Sequence, residues 1–250
     1  MIRLSLKFVF VFMTLTVASA LAVIAGDKPA KFKSVVELFT SQGCSSCPPA
    51  DALLKTYVDR DDIVALTMPV DYWDYLGWKD TYGSSQHSKR QRDYSRKRGD
   101  GRVYTPQVVV NGMAHAIGSD ALQISKAIIA TKAKLARAPI PISLQMQDGD
   151  LVIELGDAPS DADVGSATIL LAAVLSKGDV AIKHGENRGR KLTYYNIVRK
   201  LTELGAWDGK AKTIRLSSEE LMQNGVDGCA VLVQQDRNGP IIAAAEIWNW

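Results

Sequence analysis

Cysteine and histidine are scarce in this chain of 250 residues, which has three of each. Three cysteines cannot build the disulfide framework of a small secreted scaffold. Only Cys44 and Cys47 have Cys-X-X-Cys spacing, so no second pair exists to complete a zinc tetrahedron. A surplus of charge of one sign is also missing. The formal net charge is +3 and drops to +1 without Arg3 and Lys7, which removes the electrostatic case for a nucleic-acid partner. No internal repeat or low-complexity tract is visible. What is left is a globular composition, long enough for one large domain or two ordinary ones.

Residues 1–7 carry the positive flank of Arg3 and Lys7, and residues 8–22 form an uncharged apolar run followed by small residues. The pattern predicts a secretory signal over residues 1–25, cleaved after Ala18-Ser19-Ala20 or Val23-Ile24-Ala25, and hence a periplasmic or secreted protein. The run is slightly short for a bilayer span, so a membrane is a partner only if the segment stays uncleaved.

The chain is organised around Gly43-Cys44-Ser45-Ser46-Cys47-Pro48-Pro49, between an apolar, β-branched run at 34–39 and a helix-like segment at 50–58. A strand running into Cys-X-X-Cys at a helix start is the layout of a dithiol redox site. The positive end of the helix dipole favours a thiolate, which marks Cys44 as the nucleophile with a pKa below about 8.5. Cys47, one turn further in, is placed to resolve a mixed disulfide, and Pro48 and Pro49 suit a first turn that needs no N–H. The same spacing also serves metal sites, and His87 or His115 joined to the thiolates would suit Cu(I). Both histidines also fit an incidental or solvated role. Cys229 opens the apolar run 230–233 and reads as a small core residue.

Further on, residues 63–68 predict a second strand, parallel to the first through a right-handed crossover. An aromatic loop, 71–78, and a polar helix, 84–98, follow. Asn111-Gly112 then marks a hairpin between residues 107–110 and 113–117, and a helix follows from Ser119 as N-cap to Arg137. The order is βαβα, then ββα. Ala138-Pro139-Ile140-Pro141 reads as a stiff linker. Beyond it, short runs at 142–146, 151–155, 167–175, 180–183, 213–216, 230–234 and 241–247 suggest a β-sandwich, with 192–204 open between strand and helix. The expectation is two separate cores, 31–137 and 140–250.

With the dithiol at the first helix and Thr105-Pro106 before the third strand, residues 31–137 resemble the thioredoxin fold. That resemblance implies a cis bond at Thr105-Pro106, beside the dithiol. It also implies a buried acid on the first strand as proton acceptor for Cys47, for which Glu37, offset by one residue, is the candidate. Gly43 stands where thioredoxins usually have tryptophan. More closely, the stretches 37–51, 70–78 (Val70-Asp71-Tyr72-Trp73-Asp74-Tyr75-Leu76-Gly77-Trp78) and Tyr104-Thr105-Pro106-Gln107 resemble DUF1223, a secreted bacterial family of unknown function.

These readings predict an exported thiol-disulfide oxidoreductase. Cys44, Cys47 and Pro106 would form its catalytic group, and its partner would be a protein or small-molecule thiol or disulfide. No organic cofactor is implied. Thr105, Asp71, Trp73 and Trp78 either line a substrate cleft or cover the sheet edge. The alternatives are a copper-binding or other metal-binding protein using the same thiolates, and a binding module whose disulfide is structural. The basic segment 89–98 reads as a solvated helix face or a docking surface, and 184–190 as a connecting loop.

Overall fold

β1 (Ser34–Thr40) and β2 (Ile63–Pro69) are buried at every residue, as parallel strands covered on both faces are. They pair in register from Ser34 with Ile63 to Thr40 with Pro69, joined by helix α1 (Pro48–Val58). In this computed structural model, residues 31–162, 164–221 and 225–248 are described, and the signal expected over 1–25 lies outside them. Among the described residues no helix is long and apolar enough to cross a membrane.

Helix α2 (Ser85–Arg98) follows β2, capped by the Ser84 hydroxyl at its start and by left-handed Gly99 at its end. β3 (Gln107–Val110) and β4 (Ala114–Ile117) then form the expected hairpin. Asn111 and Gly112 both take positive φ, 51° and 68°, as a tight right-twisting turn requires. Helix α3 (Ala121–Leu135) is capped by Asp120 rather than the expected Ser119, because the Asp120 carboxylate accepts the Gln123 N–H at 2.9 Å.

The rest of the chain is β5 (Ile142–Gln147), β6 (Asp150–Leu155), β7 (Ala167–Ala181), β8 (Lys191–Trp207), β9 (Lys212–Ser217), a short helix α4 (Ser218–Leu221), β10 (Gly228–Gln235) and β11 (Ile241–Trp248). Of residues 180–183, expected as a separate strand, 180 and 181 end β7 while 182 and 183 lie outside any strand, and the ambiguous 192–204 is strand. The sheet order is β11-β10-β7-β8-β2-β1-β3-β4, with β5-β6-β9 as a separate antiparallel sheet. The fold is therefore mixed α/β, with one eight-stranded and one three-stranded sheet.

The expected division into two cores is corrected by this topology: four strands from each side of residues 138–141 share the large sheet. The seam is β2 against β8. Backbone pairing there is limited to Thr67 with Ile197, because Asn196 has φ 47° and turns the strand out of regular extension. Side chains complete the join: the Thr67 hydroxyl donates to the Tyr195 carbonyl at 2.5 Å, and the Asn196 amide to the Ala65 carbonyl at 3.0 Å. One apolar cluster runs through the seam, from Phe39, Leu66 and Tyr94 to Val174, Val198 and Leu232. The prolines at 139 and 141 thus mark a turn in the path, not a boundary between cores.

Apolar clusters cover both faces of the large sheet. α1 and α3 cover one face of β1 and β3, where Val36, Leu38, Val108 and Val110 meet Leu54, Tyr57, Ile124 and Ile128. On the other face Tyr94 of α2 packs on Val35, Phe39 and Val109. The three-stranded sheet buries Leu151, Ile153 and Leu155 against Ile169, Leu171, Val231 and Val233 of the large one.

Candidate functional site

β1 and β2 run in parallel and β3 runs against β1, so the ends of β1 and β2 and the start of β3 lie at one sheet edge. Cys44 and Cys47 are joined there by a disulfide with a Cα separation of 5.4 Å, and Cys47 is the N-cap of α1. Cys44 is 3% exposed and Cys47 fully buried. The first turn offers the sulfurs fewer donors than the sequence suggests. Pro48 and Pro49 have no N–H, and those of Ala50 and Asp51 already bond the Cys47 carbonyl at 2.8 and 3.1 Å. The nearby hydroxyl is that of Ser46, whose Oγ lies 3.4 Å from Cys44 Sγ.

Trp73 backs this loop closely: a Cβ on Gly43 would fall 3.1 Å from Trp73 Cβ, which is why a small residue precedes Cys44. The Trp73 indole N–H donates to the Thr105 hydroxyl at 2.8 Å, and the Thr105–Pro106 peptide is cis. Pro106 packs near the start of α1, since the space beside Gly118 is bounded by Pro106 and Ala50 side chains. Trp78 lies across the loop, donating to Gln42 Oε1 at 2.8 Å. Cys44, Cys47, Trp73, Trp78, Thr105 and Pro106 therefore converge. Asp71 does not join them: its carboxylate accepts the Ser88 hydroxyl of α2.

Glu37 is corrected as the proton acceptor for Cys47. Side chains alternate along a strand, and Glu37 shares its parity with Val35 and Phe39, which face α2 rather than α1. An offset of one residue thus puts it on the wrong side of the sheet. There it is 1% exposed and bound by Arg90 Nε at 2.7 Å and the Tyr94 hydroxyl at 2.5 Å.

Two acids that the sequence reading missed lie buried at the dithiol end. Asp51 of α1 accepts the Thr40 hydroxyl at 2.7 Å through Oδ1, and its Oδ2 has no partner among the described residues. Burial foremost, with the Asp80 charge adding, raises its pKa to about 8. Asp80 accepts the N–H groups of Gln42 and Tyr82, both at 2.8 Å, yet burial still pushes it up to about 6. The Tyr194 hydroxyl, also buried and unpartnered, lies within electrostatic reach of both. Nothing in an isolated Asp beside a Cys-X-X-Cys announces burial.

The model of a family described as "Protein of unknown function (DUF1223)" matches residues 35–234. The chain belongs to the DUF1223 family. Among solved structures, it is similar to the protein AGR_C_4864 from Agrobacterium tumefaciens, at 33% identity and a TM-score of 0.77, over 89% of this chain and 97% of that one. HBP35 of Porphyromonas gingivalis shares the fold at 13% identity and a TM-score of 0.58, over 88% of this chain and 76% of that one. No curated protein matches.

In this DUF1223 chain the loop between β7 and β8 is more than a connection, because it straps the cysteine segment in place. Asn187, fully buried, donates its amide to the carbonyls of Gln42 and Cys44, both at 2.9 Å. The Glu186 carboxylate accepts the Ser45 N–H at 3.2 Å, and His184 lies against Trp78 with ring centroids 6.3 Å apart. A polar stretch such as 184–190 gives no sequence cue to this reach.

In the DUF1223 chain His87 and His115 make their polar contacts elsewhere than at the dithiol. His115 accepts or donates to the Tyr104 hydroxyl at 2.8 Å and faces Asp100, and among the described residues no three His, Cys, Asp or Glu side chains converge as a metal site. Cys229 is core, its thiol pushed up to about 12 by burial. His87 is buried with Nδ1 2.9 Å from the Pro69 carbonyl, and desolvation lowers its pKa to about 4. Unfolding returns it to an ordinary histidine at about 6.5, so the unfolded chain binds the proton first and stability falls as pH drops from about 6.5 to 4. We expect a loss of roughly 3 kcal/mol over that window from this group. His87→Asn should flatten it in denaturant titrations at stepped pH; an unchanged slope would remove His87 as its source.

Proposed function

We propose that this protein is an exported thiol-disulfide oxidoreductase of thioredoxin-like type, acting in the periplasm or outside the cell on thiol or disulfide partners. The observation that carries the reading is the Cys44–Cys47 bond at the N-terminus of α1, at the edge where cis Pro106 also lies. The element order from β1 to α3 and the position of that proline support the thioredoxin-like assignment.

In the reduced protein, Cys44 as thiolate attacks one sulfur of a substrate disulfide. A bond forms between Cys44 Sγ and that sulfur, and the other substrate sulfur leaves as a thiolate. Cys47 Sγ then attacks Cys44 Sγ, the Cys44–Cys47 bond forms, and the second substrate sulfur leaves. Two electrons pass from the dithiol to the substrate, and the reverse sequence oxidises a substrate dithiol. The Ser46 hydroxyl and the α1 dipole favour charge on Cys44, while the Glu186 carboxylate at Ser45 opposes it. Trp73 and Thr105 form the wall beside the attacked sulfur, and Tyr75, stacked on Trp73 and 76% exposed, extends that wall outward.

Cys47→Ala tests the reading. Cys44 should still attack but nothing can release the product, so partners should accumulate as mixed disulfides on non-reducing gels, above a Cys44→Ala/Cys47→Ala blank. No adducts, together with stoichiometric Cu(I) binding by the wild type, would overturn it in favour of a metal-binding protein. No adducts and a loss of stability alone would mark a structural disulfide.

A further inference from the structure

A buried polar atom left without a hydrogen bond is uncommon in a folded protein, because its lost hydration is uncompensated. Asp51 is 5% exposed and its Oδ2 is such an atom. It stands four positions after Cys47, and the Asp51 N–H bonds the Cys47 carbonyl at 3.1 Å, so the first helical turn is closed between them. Residues so spaced lie on one helix face with Cβ atoms about 5–6 Å apart, a gap that a single water closes. A route to solvent lies alongside: a cavity of about 330 Å3 opens between α1 and β8, walled by Pro48, Asp51, Lys55, Thr193 and Tyr195.

The other acids of this region are committed elsewhere. Glu37 is on the opposite face of the sheet with Arg90, Asp71 is held by Ser88, and both Asp80 oxygens accept backbone N–H groups. Resting on the redox reading of the dithiol, we infer that Asp51 takes the proton of Cys47 when the disulfide closes, returns it on reduction, and exchanges it with solvent through the cavity between α1 and β8.

The closing step then balances. Ionised Asp51 accepts the proton of the Cys47 thiol through the intervening water, and the freed electron pair on Cys47 Sγ forms the bond to Cys44 Sγ. The bond from Cys44 to the substrate sulfur breaks, and that sulfur departs as a thiolate that is protonated by solvent. Asp51 loses its proton to water in the cavity. Several groups set its affinity for that proton. Asp80 and the Tyr194 hydroxyl face it from the β2–α2 segment and β8, and Lys55, Lys191 and Tyr195 line the cavity. Its raised pKa, about 8, lies close to that of a free thiol, about 8.5, so transfer between them is nearly balanced.

The test uses the reduced full chain and an aromatic disulfide whose released thiolate absorbs visible light. Attack by Cys44 releases one thiolate and closure by Cys47 releases the second, so stopped-flow absorbance resolves the two steps. In Asp51→Asn the first release should be unchanged. The second should slow roughly 100-fold below pH 8 and recover at higher pH, where Cys47 ionises unaided. The variant should also be no less stable than the wild type: a raised folded pKa means that the wild type loses stability as pH rises from about 4 to about 8, and Asn removes that loss. A purely structural Asp51 would instead lower stability and leave the pH profile of closure unmoved. The oxidised wild type gives a readout that needs no variant, an infrared band of protonated carboxyl that disappears with a midpoint near pH 8. Equal closure rates in both proteins at all pH values, or no such band, would overturn the role of Asp51 and leave the redox reading standing. A wild type that releases only one thiolate and never closes would overturn both.

Discussion

Arg90→Ala should lower the unfolding free energy by about 3–5 kcal/mol, because it leaves the Glu37 carboxylate buried without its counter-charge. Arg90 is 5% exposed, and its guanidinium reaches Glu37 through Nε at 2.7 Å and Nη2 at 3.3 Å, Gln234 at 2.9 Å and the Tyr94 hydroxyl at 2.6 Å. The ion pair raises the Arg90 pKa further above its already high value. Glu37 comes from β1, Arg90 and Tyr94 from α2, and Gln234 from β10, so the cluster ties the front of the chain to its last strands. Replacing both charges, as in Glu37→Leu/Arg90→Met, should restore most of the loss, since removing a buried pair together also removes its desolvation cost. Urea titration of the three proteins measures this. A single variant within about 1 kcal/mol of wild type would mean that water reaches Glu37.

Asn187→Ala should make the disulfide easier to reduce as well as destabilise the fold. Two buried carbonyls, of Gln42 and Cys44, lose their donor, and an unsatisfied buried acceptor costs about 1–3 kcal/mol. The loss falls on the strap, so its detachment becomes more frequent. At about 1.4 kcal/mol per tenfold, reduction of Cys44–Cys47 by dithiothreitol should accelerate by about tenfold or more. Thiol release followed in time supplies the measurement. Equal rates in the variant and wild type would show that Cys44 reacts without movement of the β7–β8 loop.

Much of the site was legible because its residues carry local signals. Cys44 and Cys47 are identified by spacing, the β3–β4 turn by Asn111-Gly112, and Trp73, Trp78 and Thr105-Pro106 by motifs that keep their order along the chain. What failed depends on geometry at long range. The side of the sheet that Glu37 faces turns on a single residue of register, which an apolar strand such as Ser34–Thr40, buried throughout, does not reveal. Asp51 differs from a solvated helix residue only in being covered. The shared sheet was hidden by Ala138-Pro139-Ile140-Pro141, since a proline-rich segment reads alike whether it separates two domains or turns within one. Length misled as well: β7 and β8 have 15 and 17 residues, well beyond an ordinary strand, and past the end of β10 they run on as a paired ribbon, to Ala181 with Lys191, that carries the strap.

The wedge of β8 between β2 and β7 has a consequence for how the molecule is made. Thr67 and Tyr195, which meet at that seam, are 128 positions apart. A chain growing from its N-terminus therefore completes β1, β2 and the cysteine loop long before the strand that covers them exists. Until then one edge of β2 is an open template for pairing with a neighbouring chain. The dithiol, too, is formed before Asn187 can reach it. Cys44 and Cys47 thus lack the strap during that interval, and a holding chaperone would have its strongest claim on β2 then.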